Sequence, residues 1–357
     1  MKVYIKFFSI IFFKSLIYVF LVMGSLSFII NLLTELDHFK EMNVSTSLPL
    51  FLSLLNSPSL IFEMLPFIYL LTAQLFFIKL FENKEIEILK YFGLKNSKII
   101  LILSSIALIS ALLITLLFYS LSSNLKNIYL EIKSSHTNND KYLAVITKNG
   151  LWIKDKIKDN VLIINSRKIE DNFLIDNFIT EFDKNYNVIK NIKSDKIDIS
   201  HQNWIIHDAK IYKNNDYEII KYFNIKTNFN YKKIQTLYSN LSSLNFFKLL
   251  ELRENYKKLN YSVTEVNLQI FKLFTFPFYL LLMTIFSSLI MLKVKQISSA
   301  TFKISLGLFF SVIIYYVNNF FYVLGETEKI TLTLSIFIPI TMLALTNLFL
   351  FQGLNEK

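Results

Sequence analysis

The side chains able to do chemistry are few in this 357-residue chain, and they are scattered. Its four histidines are His38, His136, His201 and His207. His201 and His207 lack the H-E-x-x-H spacing of a zinc site, and there is no cysteine to complete a ligand set. All four read as structural or solvent-facing. None of the six glycines opens a G-x-x-x-x-G-K loop, so any nucleotide hydrolysis linked to this protein must belong to another chain. No G-x-S-x-G elbow is present. Asp195 and Asp198 lie among lysines and read as solvated surface. A catalytic role is therefore disfavoured.

What remains are charges set in or beside apolar sequence. Glu63 lies inside a long apolar run, where a carboxylate either faces a cavity or partner, or reaches water at the interface. Lys126 and Lys133 follow another such run. They could hold an anionic lipid headgroup by charge pairing, or be ordinary surface lysines. The stretch 81–95 sits between two apolar runs and reads as a helix over about 82–95. Asn83 can cap it, Glu85 and Glu87 suit its first turn, Lys90 and Lys95 suit its far end, and Gly93 can stop it. Ile86, Leu89 and Phe92 recur at helical spacing. Such a helix can lie along a membrane face and present side chains to a soluble partner; the alternative is an ordinary solvated loop.

The elements that must position these residues are membrane spans. The chain is 53% hydrophobic, with a mean hydropathy of +0.42, too apolar for a soluble globular protein. Six runs exceed the ~20 residues that cross a bilayer: 7–33, 57–80, 99–121, 268–292, 302–324 and 330–351. The first reads as an uncleaved span, too long for a signal-peptide core. Asn56-Ser57-Pro58 marks the start of the second, which Pro66 should kink, and Pro277 lies in the fourth.

Lysines set the orientation. Lys2, Lys6 and Lys14 flank the first end, Lys79, Lys84, Lys90, Lys95 and Lys98 crowd the second-to-third loop, and Lys293, Lys295 and Lys303 the fourth-to-fifth. The opposite loops are mixed: Glu35, Asp37, Lys40 and Glu41 in one, Glu326, Glu328 and Lys329 in the other. Positive charge stays inside, so both termini are expected in the cytoplasm and residues 123–266 outside. The net charge of +11 belongs to this pattern, with no need of nucleic acid.

Within the outside region, short runs rich in Ile, Val, Phe, Tyr and Trp recur at 151–153, 161–165, 173–182, 197–199, 204–212 and 219–225. Turn signals separate them: Lys148-Asn149-Gly150, Asp183-Lys184-Asn185 and Asn214-Asn215-Asp216. The pattern predicts an antiparallel sandwich or barrel over about 143–229, although alternation is imperfect in 173–182. Ser243 can cap a following helix over about 244–258.

Four stretches in this order resemble the LptF/LptG permeases of lipopolysaccharide export. Ser57-Pro58 with Pro66 looks like the family's second span, and Asn83 to Leu94 is similar to its S-E-L-x-x-x-x-A-x-G-[IF]-S coupling segment, with Glu85 and Gly93 on matching positions. Asn149-Gly150-Leu151-Trp152-Ile153-Lys154-Asp155 resembles the G-L-W-x-[KR]-D stretch of the LptG member in particular. Phe271 to Phe278 resembles the K-[IL]-x-x-P-[FL] opening of the fourth span. The chain departs from the family at Tyr91 and Phe92, where small residues are usual, and at Lys95, where Ser or Thr is usual. Near the end of the first span it has Asn31, Glu35, Asp37, His38 and Lys40 where lysines are frequent.

The resemblance implies a polytopic α-helical membrane protein of six transmembrane helices, 3+3, with an inserted periplasmic all-β jelly-roll-like domain. Residues 1–122 would carry helices 1–3 and the coupling helix, 123–266 the periplasmic domain and its connecting helix, and 267–357 helices 4–6. It implies a non-catalytic inner-membrane subunit without cofactor, paired with the homologous permease LptF and driven by an LptB ATPase dimer. Such a subunit passes lipopolysaccharide to LptC and periplasmic LptA. Glu85, Ile86, Leu89 and Gly93 would couple to the ATPase; Glu63, Lys126, Lys133 and Trp152 are candidates for the lipid path, and Ile163, Phe178 and Ile206 for its apolar lining. Two other classes remain open: a membrane-anchored periplasmic ligand-binding or sensory protein without an ATPase, and a membrane enzyme acting on lipid.

Overall fold

A computed structural model of the chain describes residues 3–40, 45, 47–136, 142–147, 150–157, 160–213, 216–231, 234, 240–258, 262–294 and 299–352. Lys2, Glu41, Lys148, Asn149, Asn214, Asn215 and Lys295, invoked above for loops and turns, lie outside the described residues. The chain divides into two units, Met1–Tyr129 with Asn267–Lys357, and Leu130–Val266.

The first unit is helical. It holds α1 (Val3–His38), α2 (Ser47–Glu82), α3 (Glu85–Tyr91), α4 (Asn96–Leu113) and the start of α5 (Tyr119–His136), then most of α7 (Thr264–Lys293), α8 (Ala300–Glu326) and α9 (Leu332–Gln352). Among the described residues, six rods are long and apolar enough to cross a membrane: α1, α2, the Asn96–Lys133 stretch, α7, α8 and α9. Aromatic rings fill the seams between them. Phe8 meets Phe76 edge-on at 5.5 Å and Phe62 stacks on Phe276 at 4.8 Å. The Tyr69 hydroxyl bonds the Ser110 hydroxyl at 2.9 Å.

Two spans run further than the hydropathy pattern suggests. The second starts at Ser47, ten residues before the expected signal, and continues through both Pro58 and Pro66. Asn56-Ser57-Pro58 is not a start but a polar patch inside the helix. Ser57 Oγ donates to the Ser53 carbonyl at 2.6 Å, Asn56 Nδ2 to Asn31 Oδ1 at 3.1 Å, and Asn31 Nδ2 to the Ser53 carbonyl at 3.3 Å. Residue types that favour a helix start serve here as an interhelical latch between α1 and α2. The third span carries a π-helical turn at Ile114–Phe118 and extends as α5 beyond residue 121 to His136.

Among its described residues the second unit holds seven antiparallel strands: β1 (Tyr142–Thr147), β2 (Gly150–Ile157), β3 (Asn160–Glu170), β4 (Phe173–Phe182), β5 (Val188–Asp198), β6 (Asn203–Lys213) and β7 (Asp216–Lys226). They form one sheet in sequence order, so this inserted all-β unit has the connectivity of a meander. Its inward face carries Leu151, Ile153, Ile164, Ile179, Ile192 and Ile206, all buried. The fully buried Trp204 donates from Nε1 to the Phe229 carbonyl at 2.9 Å.

Inward residues should recur every second position along a strand. In four neighbouring strands the recurrence slips by one: Ser166 to Ile169, Leu174 to Asn177, Ser194 to Ile197 and Ile206 to Ala209. The slips lie side by side in the register and make a crease across the sheet, where Asp176 and Asp208 take positive φ. Buried polar side chains bridge it. Ser166 Oγ donates to the Ile175 carbonyl at 3.1 Å, Asn177 Nδ2 to the Leu174 carbonyl at 2.9 Å, and Ser194 Oγ to the His207 carbonyl at 2.6 Å. They take up carbonyls where the ladder is interrupted.

After a 3₁₀ turn at Leu241–Ser243 comes α6 (Phe246–Lys258). Its cap is Asn245, whose Oδ1 accepts the Lys248 N–H at 2.9 Å, while Ser243 bonds back to the Asn240 carbonyl.

Candidate functional site

The expected helix over 82–95 forms as a shorter element set off from α2 by a break. Lys84, at φ 55°, takes the left-handed conformation between the end of α2 and Glu85. Asn83 does not cap α3; its Nδ2 donates instead to Glu85 Oε1 at 3.3 Å. At the other end Gly93, at φ 83°, closes a Schellman motif, with Gly93 N–H on the Lys90 carbonyl and Leu94 N–H on the Leu89 carbonyl, both at 2.9 Å.

The helix has two apolar sides. Ile86 is 1% exposed and Leu94 is buried against the helical unit, with Leu89 half-buried beside them. Phe92, expected on that same face, is 76% exposed and Tyr91 is 89% exposed, their rings edge-on at 5.9 Å. Phe92 is the cap residue, where the chain leaves the helical angle, and so it turns outward. The outer side is thus Ile88, Tyr91 and Phe92. Glu85 Oε2 is buried, and among the described residues it finds no hydrogen-bond donor. A shielded carboxylate oxygen without a donor is costly, and a donor from outside the chain would relieve it.

Glu63 of α2 lies with Lys126 of α5 and Lys272 of α7, near enough for their charges to act on one another. The Lys272 ammonium also sits 5.2 Å from the centre of the Tyr322 ring of α8. Two lysines thus lie near one carboxylate. Glu63 and Lys126 are therefore brought together, and Lys272, quoted above only within a motif, joins them. Lys133 falls in the other unit.

Trp152 belongs to the strand unit and is 44% exposed on the outward face of β2, in one cross-strand row with Asn165 and Phe178. Ile206 lies in the inward row Ile169, Leu174, Ile197 and Ile206. Trp152, Ile163, Phe178 and Ile206 thus do not share a face, because alternation sends Trp152, Ile163 and Phe178 outward and Ile206 inward. The end of the Trp152 motif has a structural role that the sequence did not announce. Asp155 is fully buried and accepts from Asn228 N at 2.8 Å and Asn228 Nδ2 at 2.7 Å, tying β2 to the segment after β7. His207 stands on β6 with its ring 5.4 Å from that of Tyr222.

The family model described as lipopolysaccharide export system permease LptF/LptG matches residues 10–353. No curated protein matches the chain.

Proposed function

From the chain's place in the lipopolysaccharide export permease family LptF/LptG, to which it belongs, we propose that it is a transport subunit worked from outside itself by a separate ATPase. It is a multi-pass inner-membrane protein of a permease family, and the family points to lipopolysaccharide as cargo. In this reading both termini and α3 face the cytoplasm, and the strand unit faces the periplasm. An LptB dimer docks on α3, the homologous permease pairs beside the chain, and LptC and LptA receive the lipid from the strand unit.

The observation that carries this reading is the state of α3. Glu85 has one oxygen bonded to Asn83 and one shielded oxygen without a donor among the described residues, on a helix whose Ile88, Tyr91 and Phe92 side chains are bare. A partner that brings an N–H donor and an apolar pocket satisfies both at once. Ile86, Leu89 and the Gly93 turn fix the helix to the membrane unit, so a push on it moves α2 and α4. The Glu63, Lys126 and Lys272 group, with two amines to one carboxyl, suits the phosphate of an anionic lipid. The exposed Trp152 and Phe178 on the outward face of the sheet are open to its acyl chains.

Replacing Glu85 with Ala or Lys tests the reading. Recovery of the ATPase with the membrane complex should fall at least tenfold, as loss of about 1.5–3 kcal/mol from a charged hydrogen bond implies. Delivery of lipopolysaccharide to the cell surface should fall with it. Unchanged assembly and delivery would remove α3 from the coupling role. Repeated purification without any nucleotide-binding subunit would favour a sensory protein instead.

A further inference from the structure

The end of α2 that leads into α3 is clasped from the side by the first two turns of α8. Gln74, fully buried, donates from Nε2 to the main-chain oxygen of Lys303 at 2.8 Å. Two turns further along α2, the Lys303 ammonium lies 4.7 Å from the centre of the Phe81 ring. Its charge also acts with that of Glu82, the last residue of α2. Lys303 is itself buried, so it does more than mark the inner side of a loop. One turn on, Gly307 leaves the space that the glutamine amide fills. A Cβ there would stand 2.0 Å from Gln74 Nε2 and 2.5 Å from its Cδ.

We infer that Gln74, Lys303 and Gly307 form the joint through which movement of α3 reaches α8. This rests on the coupling role proposed for α3. In a bilayer, helices gain little from apolar contact alone, because lipid tails are equally apolar, so a purely apolar seam can slide. A directional hydrogen bond, a cation over a ring and a glycine notch resist sliding, and α8 then follows α2. The other two helices are tied in by bonds of their own, apart from this joint. Ser287 Oγ of α7 donates to the Leu70 carbonyl of α2 at 2.8 Å, one turn before Gln74. Asn347 Nδ2 of α9 donates to the Leu282 carbonyl of α7 at 3.0 Å. Gln74 is a positioning residue in this scheme and touches no cargo.

The test uses the complete complex, with its ATPase and partner permease, in vesicles containing lipopolysaccharide, and reads lipid released per ATP hydrolysed. Gln74→Ala should lower that ratio about fivefold, the change that ~1 kcal/mol of lost coupling produces. Complex recovery and the ATP hydrolysis rate should hold, which separates a joint from a merely structural residue. Gly307→Ala should push the amide out and give a similar loss. The double variant should be no worse than Gln74→Ala, because the added methyl occupies the vacated space. An unchanged ratio in Gln74→Ala would overturn the joint, and so would losses that simply add in the double variant. If Gly307→Ala does not assemble, Gln74→Ala decides alone by the same criterion. A wild-type complex that recruits no ATPase, or hydrolyses ATP without releasing lipid, would sink the permease reading itself.

Discussion

At the scale of single residues, two glycines show how differently the backbone constrains the two units. Gly93 has φ 83° and open space where a Cβ would stand, so Gly93→Ala meets only the left-handed penalty of ~1–2 kcal/mol. Gly150 has φ 117°, and a Cβ there would stand 2.2 Å from the Ser166 carbonyl oxygen across the β2–β3 pair. Gly150→Ala should therefore cost about 3 kcal/mol or more, through strain and a backbone clash together. Hydrogen exchange on the full-length protein checks this: amides of β2 and β3 should lose about a hundredfold in protection. Those around Gly93 should lose about tenfold. Equal effects at the two sites would contradict the account. Glycine at position 150 of the Trp152 motif is thus held by backbone geometry, and Asp155 by the two Asn228 donors.

At the scale of elements, the β4–β5 turn carries a built-in acid sensitivity. The Asn187 backbone N–H bonded to the Asp183 carboxylate, helped by the Asn187 amide and the Asn185 N–H, holds that carboxyl below its ordinary range. A carboxyl depressed in the folded state stabilises the turn above its unfolded pKa of about 3.9, and the gain disappears as pH falls through the folded value. Exchange protection of Asn185 and Asn187 should hold steady from neutral pH to about pH 5 and decline in acid below about pH 4. Asp183→Ala should lower protection at neutral pH and abolish the decline. A decline of the same size in the variant would place its cause elsewhere. The crease across β3–β6 is an element-scale feature too: it bends the strands where Ser166, Asn177 and Ser194 replace apolar inward residues, and it explains the broken alternation at 173–182.

At the scale of the whole molecule, the permease reading is a statement about sides. Single cysteines can be placed anywhere, since the natural chain has none. A cysteine replacing Lys90 should react with membrane-impermeant thiol reagents only after the inner membrane is opened, whereas one replacing Trp152 should react in intact spheroplasts. Labelling of both from the same side would end the reading, because a helix on the side of the strand unit could not be reached by a cytoplasmic ATPase. The charge distribution that predicts this arrangement lies in the short loops, where lysines resist translocation.

The span count, the all-β character of the insert, the existence of α3 and its Gly93 stop were legible in the sequence, because each depends on local composition and on backbone preferences that neighbours rarely override. Where α2 begins was not legible, since Asn56, Ser57 and Pro58 carry the same local signal whether they start a helix or latch one to another; the contact with Asn31 decides. The outward turn of Phe92, the split of Trp152 and Ile206 between faces, and the meeting of Glu63 with Lys126 and Lys272 depend on residues distant in the chain. So does the joint of Gln74 with Lys303 and Gly307, 229 positions away at its hydrogen bond. Periodicity identifies what a segment can bury; only packing selects which partner it is buried against.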